Sequence, residues 1–265
     1  MNSAKVRSEK LNPFGIRLQF DESASLANIN KQELENMLKE HKLVLVRGLK
    51  KAEREEFLAF CQGFPQSKTL NWNFGPVMEM KESEDPQNYL FSREAVPFHW
   101  DGAFHSVPDY LVFSCVQAPI HGAGGETLFA NTEMIFNRAT TETKKLWSQV
   151  ELQYETAKLA HYGGSILGPL MQKHPLSGNS ILRFAEPVDT KLNPVTLKVV
   201  TKSETNTEAL VTELTEKIYS ADFCYRHEWQ EGDLLLADNH SLVHGRTAFE
   251  KNCPRHLRRI QLVKE

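Results

Sequence analysis

The stretch Val96-Pro97-Phe98-His99-Trp100-Asp101-Gly102 is an apolar strand that runs into an imidazole and a carboxylate. Residues i and i+2 of a strand share a face, so His99 and Asp101 project side by side just before the turn-prone Gly102. Such a pair alone is a common surface feature; its setting gives it weight. Short strand-like runs recur at 15–20, 42–47, 77–80, 109–116, 126–129, 150–156, 180–184, 223–229, 233–237 and 255–263. Helical signals are fewer. Asn30 caps a run carrying Glu33, Leu34, Met37 and Leu38, and 51–62 places Phe57, Leu58 and Cys61 together before Gly63. Residues 131–147 hold one or two short helices, and Thr205-Asn206-Thr207-Glu208 reads as a capping box ahead of Leu210, Leu214 and Ile218. Many short strands with outlying helices predict a mainly β sandwich or barrel buttressed by helices. A doubly wound nucleotide fold would alternate strands and helices, and Gly122-Ala123-Gly124-Gly125 lacks the context of a phosphate loop.

Composition agrees with a globular chain. Of 265 residues, 40% are hydrophobic and 25% charged, which excludes collagen-like, mucin-like and disordered classes. The 31 basic and 34 acidic side chains leave a net charge of -3, which argues against nucleic acid as the partner. Apolar runs such as Leu43-Val44-Leu45-Val46 fall far short of the roughly 20 residues a bilayer span needs, and the start of the chain is polar. Cys61, Cys115, Cys224 and Cys253 are scattered and read as reduced thiols, so the cytoplasm is the expected address. No hinge is visible. The expectation is one domain over 1–265, with an insertion or lid at the Pro-, Asn- and Thr-rich 187–205.

A third metal ligand is sought near the strand 233–237, which leads into Asp238-Asn239-His240-Ser241-Leu242-Val243-His244-Gly245-Arg246. Two histidines and one carboxylate form the facial triad that holds non-haem iron(II) and leaves one side of the metal open. A structural zinc site would close a tetrahedron instead, usually with cysteines. His244 and His240 both compete for the position, and His105, six residues beyond His99, reads as pocket wall at most. His41, His161, His174 and His227 read as ordinary surface or core histidines. In the basic cluster Arg255-His256-Leu257-Arg258-Arg259, a strand would put Arg255 and Arg259 on one face. Guanidinium groups turned inward require anions. Arg255 suits a dicarboxylate such as 2-oxoglutarate, Arg259 a substrate carboxylate, and Thr127 adds a hydroxyl to the cosubstrate.

With His99-Trp100-Asp101, Gly124-Gly125-Glu126-Thr127, His244-Gly245-Arg246, Arg255 and Arg259 in this order, the chain resembles the TauD/TfdA family of Fe(II)- and 2-oxoglutarate-dependent oxygenases. The resemblance implies a double-stranded β-helix (jelly-roll) of the TauD/clavaminate-synthase-like type. It implies His99, Asp101 and His244 as iron ligands, Thr127 and Arg255 on 2-oxoglutarate, Arg259 on the substrate anion, and O2 as oxidant. Within the family, Val96 to Gly102, Ile181-Leu182-Arg183-Phe184-Ala185-Glu186-Pro187, Ala237-Asp238-Asn239 and Pro254 to Arg259 resemble oxygenases of bacterial isonitrile biosynthesis. That likeness implies desaturation of an amino-acid isonitrile, typically tyrosine isonitrile, in some members with decarboxylation to a vinyl isonitrile. Phe98, Trp100, Phe104 and Tyr162 are the aromatic candidates for the substrate wall. The alternatives are a hydroxylase of another small carboxylate or sulfonate, and a non-redox, cupin-like metal-binding protein. The expected partner is a small molecule, with neither nucleic acid nor membrane involved; homo-oligomerisation is left open.

Overall fold

A computed structural model of the chain describes residues 6–72, 75–86, 88–159, 162–201 and 206–265. Its centre is an eight-stranded sheet. In spatial order this sheet runs β1 (Arg7–Lys10), β2 (Ile16–Ala24), β3 (Leu43–Leu49), β15 (Leu234–Asp238), β7 (Tyr110–Gln117), β17 (His256–Lys264) and β4 (Ser67–Thr69). The eighth strand, β5 (Met78–Lys81), also pairs with β17. A four-stranded sheet lies opposite, in the order β14 (Cys224–His227), β8 (Thr127–Asn131), β16 (Leu242–Arg246), β6 (Val96–His99). All pairings are antiparallel except β2 with β3. Two sheets facing each other with helices outside match the jelly-roll expected from the sequence.

Period-2 alternation decides what each face carries. Leu43, Leu45, Leu111, Phe113, Leu235 and Leu257 point inward from the large sheet to meet Phe129 and Leu242 from the small one. The alternate residues, among them Val44, Val46, Val112, Leu236, Ile260 and Leu262, face the other way, onto helices α1 (Lys31–His41) and α2 (Arg54–Gln62). The side chain of Asn30 accepts from the N–H groups of Gln32 and Glu33, so α1 begins at the expected cap. Leu34 and Leu38 then bury completely, each contributing roughly 1.5–3 kcal/mol of transfer free energy.

The outer face of the small sheet carries Phe98, Leu128, Ala130 and Val243. They pack in one core with residues of α3 (Thr132–Arg138), α4 (Thr141–Trp147) and α5 (Thr207–Tyr219). A three-stranded sheet of β10 (Tyr162–Pro169), β9 (Val150–Leu159) and β13 (Thr196–Thr201) joins this core, beside the hairpin β11 (Met171–Lys173) and β12 (Ser180–Leu182). The segment expected as a lid is partly sheet: Val188 bridges Val195, and β13 pairs along β9. Thr196–Thr201 is fixed as a strand by its backbone pairing with β9, and it packs Leu197 and Val199 against the core. Residues 202–205, including the Thr205 assigned to the capping box, lie outside the described residues; Asn206 caps α5, its side chain accepting from the Ala209 N–H. Among the described residues no helix is long and apolar enough to cross a membrane.

Leu236, fully buried in the middle strand β15, tests this packing. Leu236→Ala is expected to lower unfolding free energy in urea by about 2–5 kcal/mol. Leu167→Ala, on an exposed position of β10, should stay within about 0.5 kcal/mol of the parent.

Candidate metal centre and anion cleft

β16 lies between β8 and β6, with His244 opposite His99 on one side and Phe129 on the other. That register turns both imidazoles into the space between the sheets. Their ring centroids are 4.3 Å apart, and His244 stacks on Phe129 at 6.2 Å. Gly245 allows the strands to come this close, since a Cβ there would sit 2.7 Å from the Val96 carbonyl oxygen. The strand ends at His99, so Asp101 reaches the site from the following turn and not from the strand face the sequence suggested. Gly102 makes that turn with φ +81°, where a Cβ would lie 2.1 Å from the Ser106 carbonyl oxygen.

One Asp101 oxygen, Oδ1, lies 3.7 Å from His99 Nε2 and 3.6 Å from His244 Nε2. One ligand atom from each of the three residues falls within 4.8 Å of the others. His99 Nδ1 sits 2.9 Å from the Pro97 carbonyl oxygen, which fixes the ring and leaves Nε2 as a lone-pair donor. Burial lowers the pKa of His99 against the pull of Asp101, and burial with the neighbouring His99 holds His244 well below the ordinary imidazole range. Burial alone would raise the Asp101 carboxyl, but Arg259, His244 and His99 outweigh it and keep it below its usual value. Two neutral imidazoles and one carboxylate, all on one side, fit a first-row divalent cation with an open face. His240, the competitor for the third position, bonds Asp109 at 2.9 Å and Arg183 at 2.8 Å and is not in this group.

Three more side chains hold the Asp101 carboxylate and its backbone. Arg259 Nη1 lies 3.0 Å from Oδ1 and 2.9 Å from Oδ2, and Gln261 Nε2 donates to Oδ2. Gln261 in turn accepts from Trp72 Nε1 at 2.7 Å. Asn239, in the turn from β15 to β16, accepts from the Asp101 N–H at 2.9 Å and donates to the Asp101 and Pro108 carbonyls at 3.1 and 2.9 Å. Gln261 shares a strand face with Arg259 two residues earlier, a signal present in the sequence but not used. Asn239 carries no comparable signal. Arg259, expected on a substrate anion, thus already engages Asp101, with its second amino group 3.1 Å from Met78 Sδ and its buried Nε unpartnered among the described residues.

Behind the triad, Arg255, Thr127 and Arg246 line one narrow cleft with His99 and His244. Arg255 Nε donates to the Gly125 carbonyl at 2.9 Å, and Nη2 lies 3.4 Å from Thr127 Oγ1. Among the described residues it forms no ion pair. Burial, then the charge of Arg246, pushes its pKa down to about 9. A buried guanidinium without a carboxylate calls for an anion. Thr127 Oγ1 also accepts from Trp229 Nε1 at 2.9 Å, a partnership the sequence did not disclose. With both lone pairs engaged, the Thr127 hydroxyl proton is available to an acceptor in the cleft. Arg246 spends itself on the carbonyls of Leu90, Ser92 and Glu94.

A cavity of about 330 Å³ opens beside His99 and Asp101. Trp100 and Phe104 line it, as does His105, which packs against Trp72 with ring centroids 5.3 Å apart. Tyr154 lines it too, and its hydroxyl accepts from the Ala185 N–H at 2.8 Å and donates to the Ala185 carbonyl at 3.1 Å. Phe98 is a correction to the expected wall. It is fully buried on the opposite strand face from His99, against Tyr219, because neighbouring strand residues point to opposite sides. The side chain of Tyr162 lies outside the described residues.

Residues 7–261 match the model of a family described as taurine catabolism dioxygenase TauD, TfdA family. The chain is 41% identical to 3-((Z)-2-isocyanoethenyl)-1H-indole synthase of Fischerella ambigua over 98% of its own length and 97% of the relative's. It is 33% identical to tyrosine isonitrile desaturase of Pseudomonas aeruginosa, covering 88% of this chain and 81% of that one. Among solved structures it is similar to PvcB, an Fe, alpha-ketoglutarate-dependent oxygenase from an isonitrile synthetic pathway. The TM-score is 0.79 at 29% identity, covering 99% of this chain and 94% of PvcB.

The Asn239 clamp predicts a metal-affinity phenotype. In anaerobic Co(II) titrations followed by visible absorption, Asn239→Ala is expected to weaken binding roughly 10- to 100-fold. Unchanged affinity would show that the turn holds Asp101 without it.

Proposed function

The chain belongs to the TauD/TfdA family of dioxygenases, and from that premise we propose that it desaturates an aromatic amino-acid isonitrile. It is an Fe(II)- and 2-oxoglutarate-dependent oxygenase. The observation that carries this reading is the pairing of a three-donor cluster with an uncompensated guanidinium in the adjoining cleft. His99, Asp101 and His244 hold the iron. Arg255 and the Thr127 hydroxyl grip the distal carboxylate of 2-oxoglutarate. When bound, iron with 2-oxoglutarate and O2 supplies a two-electron oxidation of the substrate, the cosubstrate leaving as succinate and CO2.

The protein's own part is placement. Arg259 and Gln261 fix the orientation of Asp101, so the open face of the metal site looks into the cavity that takes the substrate. Arg259 also meets the substrate's carboxylate through the donors that Asp101 does not use. Trp100 and Phe104 confine the aryl ring, keeping the benzylic carbon near the metal. Oxidation removes either two hydrogens, leaving an acrylate, or one hydrogen and the carboxylate as CO2, leaving a vinyl group. The product named for the Fischerella relative is a vinyl isonitrile on an indole, and the Pseudomonas relative is named for tyrosine isonitrile. Both aryl groups are therefore the substrates to try. Residues 1–265 are read as one oxygenase domain.

Aerobic incubation with Fe(II), 2-oxoglutarate and each isonitrile should release succinate together with an enoate or vinyl isonitrile detected by mass spectrometry. Hydroxylated product alone would point to the hydroxylase, and no substrate-dependent succinate to a binding protein. Anaerobic addition of Fe(II) and 2-oxoglutarate should give a weak visible charge-transfer band that is lost in His99→Ala and Asp101→Ala.

The anion cleft makes a graded prediction. Arg255→Gln should weaken 2-oxoglutarate, read from that band or from KM, by roughly 100-fold, as expected for charge-assisted bonds. Trp229→Phe, which removes only a donor to Thr127, should weaken it about 2- to 10-fold.

A further inference from the structure

Most of the substrate cavity is apolar, yet among the described residues two carboxylates line it. One is Asp101, committed to the metal site. The other is Glu186, which touches neither the metal ligands nor the anion cleft. Its placement is unusually well defined. The Glu186 N–H donates to the Phe98 carbonyl at 2.9 Å, and its side-chain Oε2 accepts from the Phe98 N–H at 2.8 Å. This reciprocal pair locks the carboxylate beside the residue that precedes His99. The Tyr219 hydroxyl, at the end of α5, donates to the same Oε2 at 2.8 Å. Burial and the Glu186 charge raise the Tyr219 pKa, so that hydroxyl stays a donor.

Both bonds fall on one oxygen. Oε1 accepts nothing from the described residues, and it is not sealed away from contact, since Glu186 is only half-buried. A carboxylate oxygen carries two lone pairs, and none of the described residues donates to those of Oε1. At another part of the same cavity stands the cationic Arg259. The cavity thus suits a molecule with an anion at one end and a hydrogen-bond donor at the other.

We propose that Glu186 is the specificity-determining residue for the aryl group, its Oε1 accepting from a phenol O–H or an indole N–H of the bound isonitrile. The inference rests on the isonitrile reading above and deepens it. A purely apolar aryl group would strand this acceptor and bind less well.

The test uses the Fe(II)- and 2-oxoglutarate-loaded enzyme with matched ligand pairs that differ only in the donor. These are tyrosine against phenylalanine isonitrile, and tryptophan against 3-benzothienylalanine isonitrile. Wild type should favour the donor-bearing member of the pair it uses by about 10- to 100-fold in kcat/KM, mostly through KM. In Glu186→Gln the amide oxygen can keep the Phe98 and Tyr219 bonds, and the NH2 then faces the cavity. The preference within the tryptophan pair, whose indole N–H can only donate, should vanish, and that within the tyrosine pair should shrink less, because the phenol oxygen can accept from the new NH2. Equal treatment of both members by wild type overturns the proposal, with no variant needed. So does a Glu186→Gln enzyme that loses activity on both members alike, the mark of a structural role. If wild type consumes neither pair, the isonitrile reading fails and this inference fails with it.

Discussion

A carboxylate removed from water between two imidazoles is stable only if other groups replace its solvation, and Asp101 shows how this protein meets that demand. Its partners come from three different parts of the fold. The two histidines belong to the small sheet, Arg259 and Gln261 to the large sheet, and Asn239 to the turn that carries the chain from one to the other. None of these elements can place the carboxylate alone. Bringing the sheets together and assembling the metal site are therefore the same event, and the apolar residues between the sheets drive both.

Three guanidinium groups line the cleft behind the two histidines, and their different fates explain the division of labour. Arg246 is absorbed by three backbone carbonyls, so it acts as a brace for the 90–94 segment. Arg259 neutralises Asp101. Among the described residues Arg255 meets neither an acid nor a set of carbonyls, only the Gly125 carbonyl and the Thr127 hydroxyl. Its burial would be costly in a protein with no anionic ligand to receive, and this makes it the most informative charge in the molecule.

Much of this was legible in the residues themselves. The inward-facing Arg255 and Arg259 follow from strand geometry, and the Gly124-Gly125-Glu126-Thr127 run carried the family resemblance. The same rule, applied one residue further, would have excluded Phe98 from the pocket: a residue adjacent to an inward ligand must face outward. Asp101 departed from the rule because the strand stops at His99 and the chain enters the turn that Gly102 makes, and a turn has no alternating faces. Asn239, Gln261 and Trp229 stayed hidden because they act on residues distant in sequence, Asn239 on backbone groups 131 and 138 positions away, Gln261 on a carboxylate 160 away and Trp229 on a hydroxyl 102 away. Strands such as β4 and β13 stayed hidden for a related reason: each is short, and backbone pairing with its neighbour defines it.

The hydroxyl of Tyr154 satisfies both backbone groups of Ala185, tying the cavity's outer wall to the three-stranded sheet, while the next residue, Glu186, ties it to β6, the strand that carries His99. Of the groups that would sense ring size and polarity, Trp100 and Glu186 are joined to the strand of the metal ligand His99, whereas Tyr154 belongs to a separate sheet. Rebuilding the wall on the Tyr154 side offers a route to new aryl groups while the redox chemistry is left as it stands.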